Sequence, residues 1–166
     1  MYYLDIFRAL HDGGVRYLVA GGVALNLHGV PRMTADLDLA LALDGPNLEA
    51  ALAALGDCGM SASLPVPAQD LLDPRRRREW LDEKGLVAFP MHHPQRPFQT
   101  VDLLVNAPLS FEEAWGRRMV LEVAGIPVPV LGAGDLIALK RAAGRPQDLA
   151  DADALERLLA RRGETR

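Results

Sequence analysis

Cysteine and long apolar stretches are scarce in this 166-residue chain. Cys58 is the only cysteine, so an internal disulfide and a multi-cysteine zinc site are both excluded. No run of residues approaches the ~20 apolar positions of a membrane-spanning helix, and the N-terminus, with Asp5 and no basic start, does not resemble a signal peptide. These absences predict a cytoplasmic protein without a membrane anchor.

An excess of positive charge is also missing. The chain carries 18 basic and 22 acidic side chains, which gives a net charge of −4. A general binder of the nucleic-acid backbone needs the opposite balance, so that class is disfavoured. The one basic patch, at residues 75–78, is typical of a solvated face, and local contact with RNA is its alternative role. A chain of this length is expected to form one domain whose core needs no disulfide or structural metal.

The spacing of apolar residues, glycines and prolines predicts a mixture of helices and strands. Strands are predicted at residues 16–20, 34–43, 86–89, 100–105, 119–123 and 128–131. Helices are predicted at residues 3–12, 23–28, 46–55, 75–83, 111–117, 134–143 and 146–162. Residues 56–74 are expected to form an insertion or a partly extended loop, and residues 92–94 a turn. Pro127 and Pro129 are expected to confine the last strand to a sheet edge.

Two aspartates, Asp36 and Asp38, lie in the predicted strand 34–43. Side chains alternate along a strand, so both carboxylates share a face, and their backbones are ~6.6 Å apart. At that distance two like charges repel by ~2.5 kcal/mol at an effective dielectric constant of ~20. Ala40 and Ala42 continue the same face and indicate that it is covered further along. A cation is therefore expected between the carboxylates.

A third carboxylate, Asp102, interrupts the otherwise apolar predicted strand 100–105. A continuous apolar run is typical of a central strand, where an unpaired carboxylate is costly. Three carboxylates on neighbouring strands form an oxygen site suited to Mg²⁺. A pair of such ions activates an attacking oxygen and stabilises a leaving group. Asp36, Asp38 and Asp102 are thus the predicted metal ligands and catalytic residues.

Candidate phosphate-binding groups accompany the acidic strand. Gly21-Gly22 turns from a strand into a helix, where backbone N–H groups and the positive end of the helix approach a phosphate. Arg32 and Thr34 stand at the mouth of the acidic strand, within reach of the same phosphate. Lys140 supplies a point charge for phosphate, although a lysine at a helix end is also favourable on its own.

Two parts of the chain resemble the nucleotidyltransferases of the DNA polymerase β superfamily. Residues 21–25 and 32–38 are similar to the superfamily signature, in which a glycine turn holds a triphosphate. In that signature a D-x-D pair and a later strand aspartate, matched here by Asp102, bind two Mg²⁺ ions. Residues 135–140 and 145–151 resemble the C-terminal motif of abortive-infection and type IV toxin nucleotidyltransferases. There, a lysine and an aspartate matched by Lys140 and Asp148 help to bind or orient the nucleotide.

The resemblance implies an α/β (α+β) fold in which helices flank a mixed β-sheet. It implies a catalytic core at residues 1–131 and a C-terminal helical segment, residues 132–166, packed on that core. The implied activity is transfer of a nucleoside monophosphate from a nucleoside triphosphate, such as ATP, to a hydroxyl group with two Mg²⁺ ions. The expected acceptor is a tRNA, a protein or a small molecule, and a toxin role would bring an antitoxin partner.

Two other functions fit part of the pattern. A catalytically degenerate protein of the same fold would bind a nucleotide or a partner protein. Val23 favours it, because many relatives place a serine in the glycine turn. A metal-dependent nuclease would use the same carboxylates, but it leaves the glycine turn and Lys140 unexplained.

Overall fold

The computed structural model describes residues 3–163. Residues 1–2 of the predicted catalytic core and residues 164–166 of the predicted C-terminal segment lie outside the described residues. The helices are α1 (Leu4–Asp12), α2 (Gly21–His28), α3 (Gly45–Asp57), α4 (Pro74–Lys84), α5 (Phe111–Gly116), α6 (Ala133–Ala143) and α7 (Pro146–Arg162). The strands are β1 (Tyr17–Ala20), β2 (Asp36–Leu41), β3 (Ser61–Ala62), β4 (Ala88–His93), β5 (Arg96–Leu104), β6 (Met119–Val123) and β7 (Ile126–Val130). A 3₁₀ helix at Ala68–Leu72 precedes α4.

The strands form one mixed sheet in the order β3-β4-β5-β2-β1-β7-β6. Strand β2 pairs antiparallel with β1 and parallel with β5, and β1 pairs parallel with β7 on its other side. The predicted class, a mixed sheet flanked by helices, is confirmed. The two predicted acidic strands, β2 and β5, therefore lie side by side at the centre of the sheet.

The two faces of these central strands differ. Leu37, Leu39 and Leu103 lie on one face and are fully buried, and each such leucine contributes about 1.5–3 kcal/mol of burial free energy. Asp36 and Asp38 alternate with these leucines and lie on the other face. A slip of one residue would exchange the two sets, so the buried leucines fix the face on which the carboxylates lie.

Helices α2, α6 and α7 pack together beside the acidic strand. Helix α2 starts directly after β1 and contacts both β1 and β2, and α6 and α7 contact each other and α2. Leu136 on α6 and Ala152 and Leu155 on α7 are buried. This packing brings the residues of the C-terminal helices to the start of α2. None of the described helices is long and apolar enough to cross a membrane.

Residues 56–74, from the end of α3 to the start of α4, contain more regular secondary structure than expected. The segment contains the end of α3, strand β3 and the 3₁₀ helix, with irregular chain between them, so only part of the segment is a loop. The predicted turn at residues 92–94 is also displaced, because His92 and His93 belong to β4 and the turn lies at Pro94 and Gln95. Prolines interrupt the hydrophobic periodicity here without preventing short paired elements.

Strand β7 is not the edge strand that its prolines suggest. It lies between β1 and β6, and β6 is the edge. Proline lacks the N–H group that a central ladder needs. Both prolines pair with β6, but the register pairing of β7 with β1 involves only Val19 and Val130, so the β1 side needs no N–H group at Pro127 or Pro129.

Candidate active site

The three predicted metal ligands lie on one face of adjacent strands. Asp38 on β2 and Asp102 on β5 are register partners in the parallel pair, so their backbones are about 4.8 Å apart. Asp36 precedes Asp38 by two residues and pairs with Thr100, whose hydroxyl donates a hydrogen bond to the Asp36 carboxylate. The fold thus places the three carboxylates on one face of two neighbouring strands.

Burial and mutual repulsion perturb these acids. Burial, followed by the charges of Asp102 and Asp36, raises the pKa of Asp38 to about 6, although Lys140 and Arg145 act in the opposite direction. Burial and the Asp36 charge also raise the pKa of Asp102. In the described part of the chain no donor forms a hydrogen bond with the carboxylate of Asp38 or Asp102. A cation would stabilise such a pair of carboxylates.

The Gly21-Gly22 pair, called here the glycine turn, packs directly against the acidic strand. Gly21 has a φ of +59°, and a Cβ at this position would lie 1.8 Å from Oδ2 of Asp38. A Cβ at Gly22 would lie 2.7 Å from Oγ1 of Thr34. Neither position accommodates a side chain. The first turn of α2, whose N–H groups have no partner inside the helix, therefore lies beside the carboxylates.

An ion-pair network joins α6 to α7 beside the glycine turn. Lys140 Nζ donates to Oδ1 of Asp148 at 3.2 Å and to Oδ2 of Asp151 at 3.0 Å. Arg145 Nε donates to Oδ2 of Asp148 at 2.6 Å, and Arg32 Nε lies 3.3 Å from Oδ1 of Asp151. Each of the two aspartates is 4% exposed. Buried carboxylates need such partners, so the network fixes the three cations in place.

The network keeps its two aspartates ionised. Burial acts to raise the pKa of Asp148, but hydrogen bonds from Arg145 and Lys140 outweigh it and leave the pKa lowered. At Asp151, burial is likewise outweighed by hydrogen bonds from Gln147 and Lys140, and the pKa is again lowered. Lys140 is therefore a positioned ammonium group whose charge also acts on the nearby acidic strand.

The loop between α2 and β2 positions the remaining candidates. The Arg32 N–H donates to Oδ1 of Asn26 at 2.6 Å, and the Asn26 amide donates to the Arg32 carbonyl at 2.8 Å. The Thr34 hydroxyl donates to the Asp36 carbonyl at 3.2 Å. With the Arg32 guanidinium held at Asp151, the loop presents Arg32 and Thr34 to the same cleft as the carboxylates.

Two clefts meet at this site. The polar cleft has a volume of about 310 Å³. It is lined by Gly22, Arg32, Thr34, Asp36, Asp38, Asp102, Lys140, Arg145, Gln147 and Asp148. The apolar cleft has a volume of about 290 Å³ and shares Asp38, Lys140, Arg145 and Asp148 with the polar one. Gly21 borders the apolar cleft, and every other sequence-predicted site residue borders the polar cleft.

Solved structures resemble this arrangement of helices and strands, whereas neither a protein-family model nor a curated protein sequence matches the chain. ANT(2'')-Ia, solved with adenylyl-2''-tobramycin, gives a TM-score of 0.57 at 16% identity over 91% of this chain and 83% of that one. The lincosamide antibiotic adenylyltransferase LnuA, solved with lincomycin, gives 0.57 at 13% identity over 91% and 92%. An antigenic nucleotidyltransferase-like protein from Paracoccidioides brasiliensis gives 0.56 at 16% identity over 92% and 72%. The chain has a nucleotidyltransferase fold.

Charge in the polar cleft of this nucleotidyltransferase fold favours a bound cation. Seven charged side chains line it, namely Arg32, Lys140, Arg145, Asp36, Asp38, Asp102 and Asp148, and an eighth, Asp151, is paired with Arg32 and Lys140. Three positive and five negative charges leave a formal charge of −2. A polyanion is repelled by such a site unless divalent cations invert its charge. The carboxylate oxygens are the ligand type that Mg²⁺ prefers, so the residues present fit a divalent ion.

The ligand set is open. The Thr100 hydroxyl donates a hydrogen bond to the Asp36 carboxylate. Within residues 3–163, no three or more His, Cys, Asp or Glu side chains are grouped closely enough to form a complete metal site. Mg²⁺ keeps several waters and binds through one or two carboxylates together with substrate phosphates. At such a site Asp36, Asp38 and Asp102 would supply the carboxylate ligands, and water or substrate would supply the others.

The sequence-predicted set omits three residues of the site. Arg145 and Gln147 line the polar cleft, and Asp151 links Lys140 to Arg32. A basic residue before a proline and acids in a first helical turn are common at any helix start. The available signal was their position in residues 145–151, the segment that carries the C-terminal resemblance.

Proposed function

We propose that the chain is a Mg²⁺-dependent nucleotidyltransferase that moves a nucleoside monophosphate from a nucleoside triphosphate to a hydroxyl group. The observation that carries this proposal is the register pairing of Asp38 with Asp102, together with the close packing of Gly21 against the Asp38 carboxylate. Lys140 and Arg145 border the same cleft. Acidic ligands, a helix N-terminus and fixed cations therefore meet in one small space.

The residues that would hold two Mg²⁺ ions are Asp36, Asp38 and Asp102. Bound Mg²⁺ neutralises phosphate charge and lowers the pKa of an attacking hydroxyl group. The negative charge of the cleft supports this assignment, as does the absence, within residues 3–163, of hydrogen-bond donors to Asp38 and Asp102.

Different residues of the chain have different roles in the transfer. The acceptor oxygen forms a bond to the α-phosphorus, the bond from that phosphorus to the bridging oxygen of the β-phosphate breaks, and pyrophosphate leaves. Asp102, whose pKa is raised by burial and by the Asp36 charge, takes the hydroxyl proton. N–H groups of the glycine turn bind the phosphates, and Lys140 and Arg145 stabilise the charge on the leaving pyrophosphate.

The remaining residues position these groups. Asp148 and Asp151 hold Lys140, and Asp148 also holds Arg145. Arg32 and Thr34 border the polar cleft beside Gly22, where they flank the bound phosphates. Asp148 thus belongs to the nucleotide-binding set through the cations that it orients.

The acceptor is a hydroxyl compound. Two similar structures contain antibiotic small molecules, adenylyl-2''-tobramycin and lincomycin, so small hydroxylated molecules are the first class to test. A tRNA or protein acceptor would suit a toxin restrained by a cognate antitoxin. Because nucleoside triphosphates are intracellular, the cytoplasm is the compartment that the proposal requires.

The direct test is incubation of the protein and Mg²⁺ with each of the four α-labelled triphosphates and pools of small hydroxylated compounds, tRNA or cell protein. Label should enter one pool with the wild type and not with Asp38→Asn. Asp82→Asn, an exposed position on α4 outside both clefts, is the matched control and should retain transfer. A folded wild type that labels no pool would contradict the proposal.

A nucleotide-binding module without catalysis is the second candidate. The observation that favours it is that Lys140 and Arg32 are already paired with buried aspartates. Calorimetry with Mg²⁺ and ATP, followed by an assay for released pyrophosphate, separates the two functions. Tight binding without pyrophosphate release in the presence of every acceptor pool would favour the module.

A further inference from the structure

The apolar cleft has no role in the phosphate chemistry described above. It lies between α6 and the chain segments that flank β4 and β5, and it is lined by Val87, Leu104, Ala107, Leu139, Ala142 and Ala143 among others. Apart from the four charged residues shared with the polar cleft, its lining consists of aliphatic residues and Gly21. An open aliphatic slot joined to a charged site is a typical form of ligand pocket.

The way in which the two clefts join indicates what the apolar cleft receives. The shared residues include the cations Lys140 and Arg145, whereas Asp36 and Asp102 border the polar cleft alone. An acceptor hydroxyl must reach the carboxylates and therefore approaches through the polar cleft. Asp38, at which the α-phosphate would lie, borders both clefts, so the ribose and base attached to that phosphate continue into the apolar cleft.

We infer that the apolar cleft holds the base of the nucleoside triphosphate and accepts all four common bases. This inference rests on the proposed nucleotidyl transfer. The flat faces of a base suit aliphatic walls. Among residues 3–163, the lining has no Asn, Gln, Ser, Thr or aromatic side chain, and its only polar side chains are the four charged ones that it shares with the polar cleft. No neutral polar side chain is therefore available to recognise the hydrogen-bonding edge of one base.

The magnitude of base selectivity follows from this lining. Pockets that hydrogen-bond their ligand reject analogues by about 10⁴–10⁵-fold, whereas apolar pockets discriminate by only about 10–200-fold. The dissociation constants of ATP, GTP, CTP and UTP should therefore fall within about 200-fold of one another. Purines should bind more tightly than pyrimidines because they bury more apolar surface.

The first experiment is calorimetric titration of the full chain with the Mg²⁺ complexes of the four triphosphates and of tripolyphosphate. The dissociation constant of each triphosphate should be lower than that of tripolyphosphate, which lacks a base, by about tenfold or more. Preference for one base by about 10⁴-fold or more would overturn the inference. Equal binding of tripolyphosphate and the triphosphates would overturn it as well.

A substitution at the end of α6 tests the location. Ala143 is exposed and borders the apolar cleft, so Ala143→Trp should obstruct the cleft without disturbing the core. Binding of ATP should weaken by about tenfold or more, and binding of tripolyphosphate should change by less than about twofold. Ala138→Trp, on an exposed part of α6 outside both clefts, should leave both values unchanged.

The outcomes separate this inference from the proposed function. If Ala143→Trp binds ATP as tightly as the wild type does, the base lies elsewhere and the inference fails while the proposed function stands. If neither ATP nor tripolyphosphate binds the wild type with Mg²⁺, the proposed function fails, and the inference fails with it.

Discussion

Gly21 and Asp38 are in such close contact that a Cβ at residue 21 would lie 1.8 Å from Oδ2 of the aspartate. Gly21 begins α2 directly after β1, and Ala20 at the end of β1 is the register partner of Asp38 on β2. The start of α2 therefore packs in direct contact with the acidic strand β2. A change at the glycine alters the position of the carboxylate.

Gly21→Ala should disrupt the fold and the site together. The new methyl group would displace the Asp38 carboxylate, and alanine at φ +59° is itself strained. We expect a loss of ~2 kcal/mol or more in the free energy of unfolding, measured by denaturant titration, and loss of nucleotidyl transfer.

Gly85→Ala is the matched control for backbone strain. Gly85 has a φ of +61°, and nothing lies within 4 Å of a Cβ built there. This variant should therefore lose only the ~1 kcal/mol of a left-handed alanine and keep its activity. Equal losses of stability in the two variants would show that the contact with Asp38 is unimportant.

The pH dependence of stability should reveal the buried charge of Asp38. Its pKa in the folded protein is raised from 3.8 to about 6, so the ionised form costs stability above about pH 6. Without Mg²⁺, Asp38→Asn should be more stable than the wild type by ~2 kcal/mol at pH 8. Because a raised acid pKa favours the protonated folded state, this advantage should shrink as the pH falls from about 6 towards 3.8.

Asp148→Asn provides a comparison of opposite sign. The pKa of Asp148 is lowered in the folded protein, so its ionised form contributes stability above the unfolded-state pKa, and that stability is lost in acid. The Asn variant should be less stable than the wild type at pH 7, with a difference that disappears as the pH falls below about 4. Parallel pH profiles for the two variants would contradict the assigned environments.

Lys140 should prove structurally important as well as functional. Its ammonium group pairs with two buried aspartates, and removal of one partner from a buried ion pair costs about 3–5 kcal/mol. Lys140→Met should therefore lower the free energy of unfolding by ~3 kcal/mol in thermal or denaturant melts. Lys84→Met, at the exposed end of α4, should change it little.

A rescue experiment separates charge from packing at Lys140. If the loss arises from unpaired carboxylates, then Lys140→Met combined with Asp148→Asn and Asp151→Asn should recover part of it, because the buried negative charges are gone. No recovery would indicate that the aliphatic stem of Lys140 supplies the stability.

The central strand and its carboxylates were predictable because local patterns specify them. Asp36 and Asp38 alternate with Leu37 and Leu39, and this period of two fixes their faces whatever surrounds the strand. The pairing of Asp102 with Asp38 depends on strand order, which local patterns do not encode. The sequence predicted that the strands were neighbours, and the structure supplies the register.

The ion-pair network was less predictable. Lys140 was expected to meet phosphate directly, and the structure pairs it with Asp148 and Asp151 across two helices. That contact depends on how α6 and α7 pack, as the position of β7 depends on its short pairing with β1. Tertiary contacts of this kind override the preferences of single residues such as Pro127 and Pro129.

The charge of the polar cleft predicts a strict requirement for a divalent cation. With eight charged groups summing to −2, wild-type protein should bind tripolyphosphate with Mg²⁺ and fail to bind it in EDTA. The variant with asparagine at positions 36, 38 and 102 has a cleft charge of +1 by the same count. It should bind tripolyphosphate in EDTA, in a salt-dependent manner. Calorimetry that detects equal wild-type binding with and without Mg²⁺ would rule out this role of the acids.

The most direct test of nucleotidyl transfer compares one triphosphate labelled at the α-phosphate with the same triphosphate labelled at the γ-phosphate. Each is incubated with wild-type protein, Mg²⁺ and the acceptor pools, and covalently bound label is counted. Breakage between the α-phosphorus and the β-phosphate predicts acceptor labelling from the α-labelled substrate alone, with the γ-label recovered in pyrophosphate. Acceptor labelling from the γ-labelled substrate, or from neither, would contradict the proposed function.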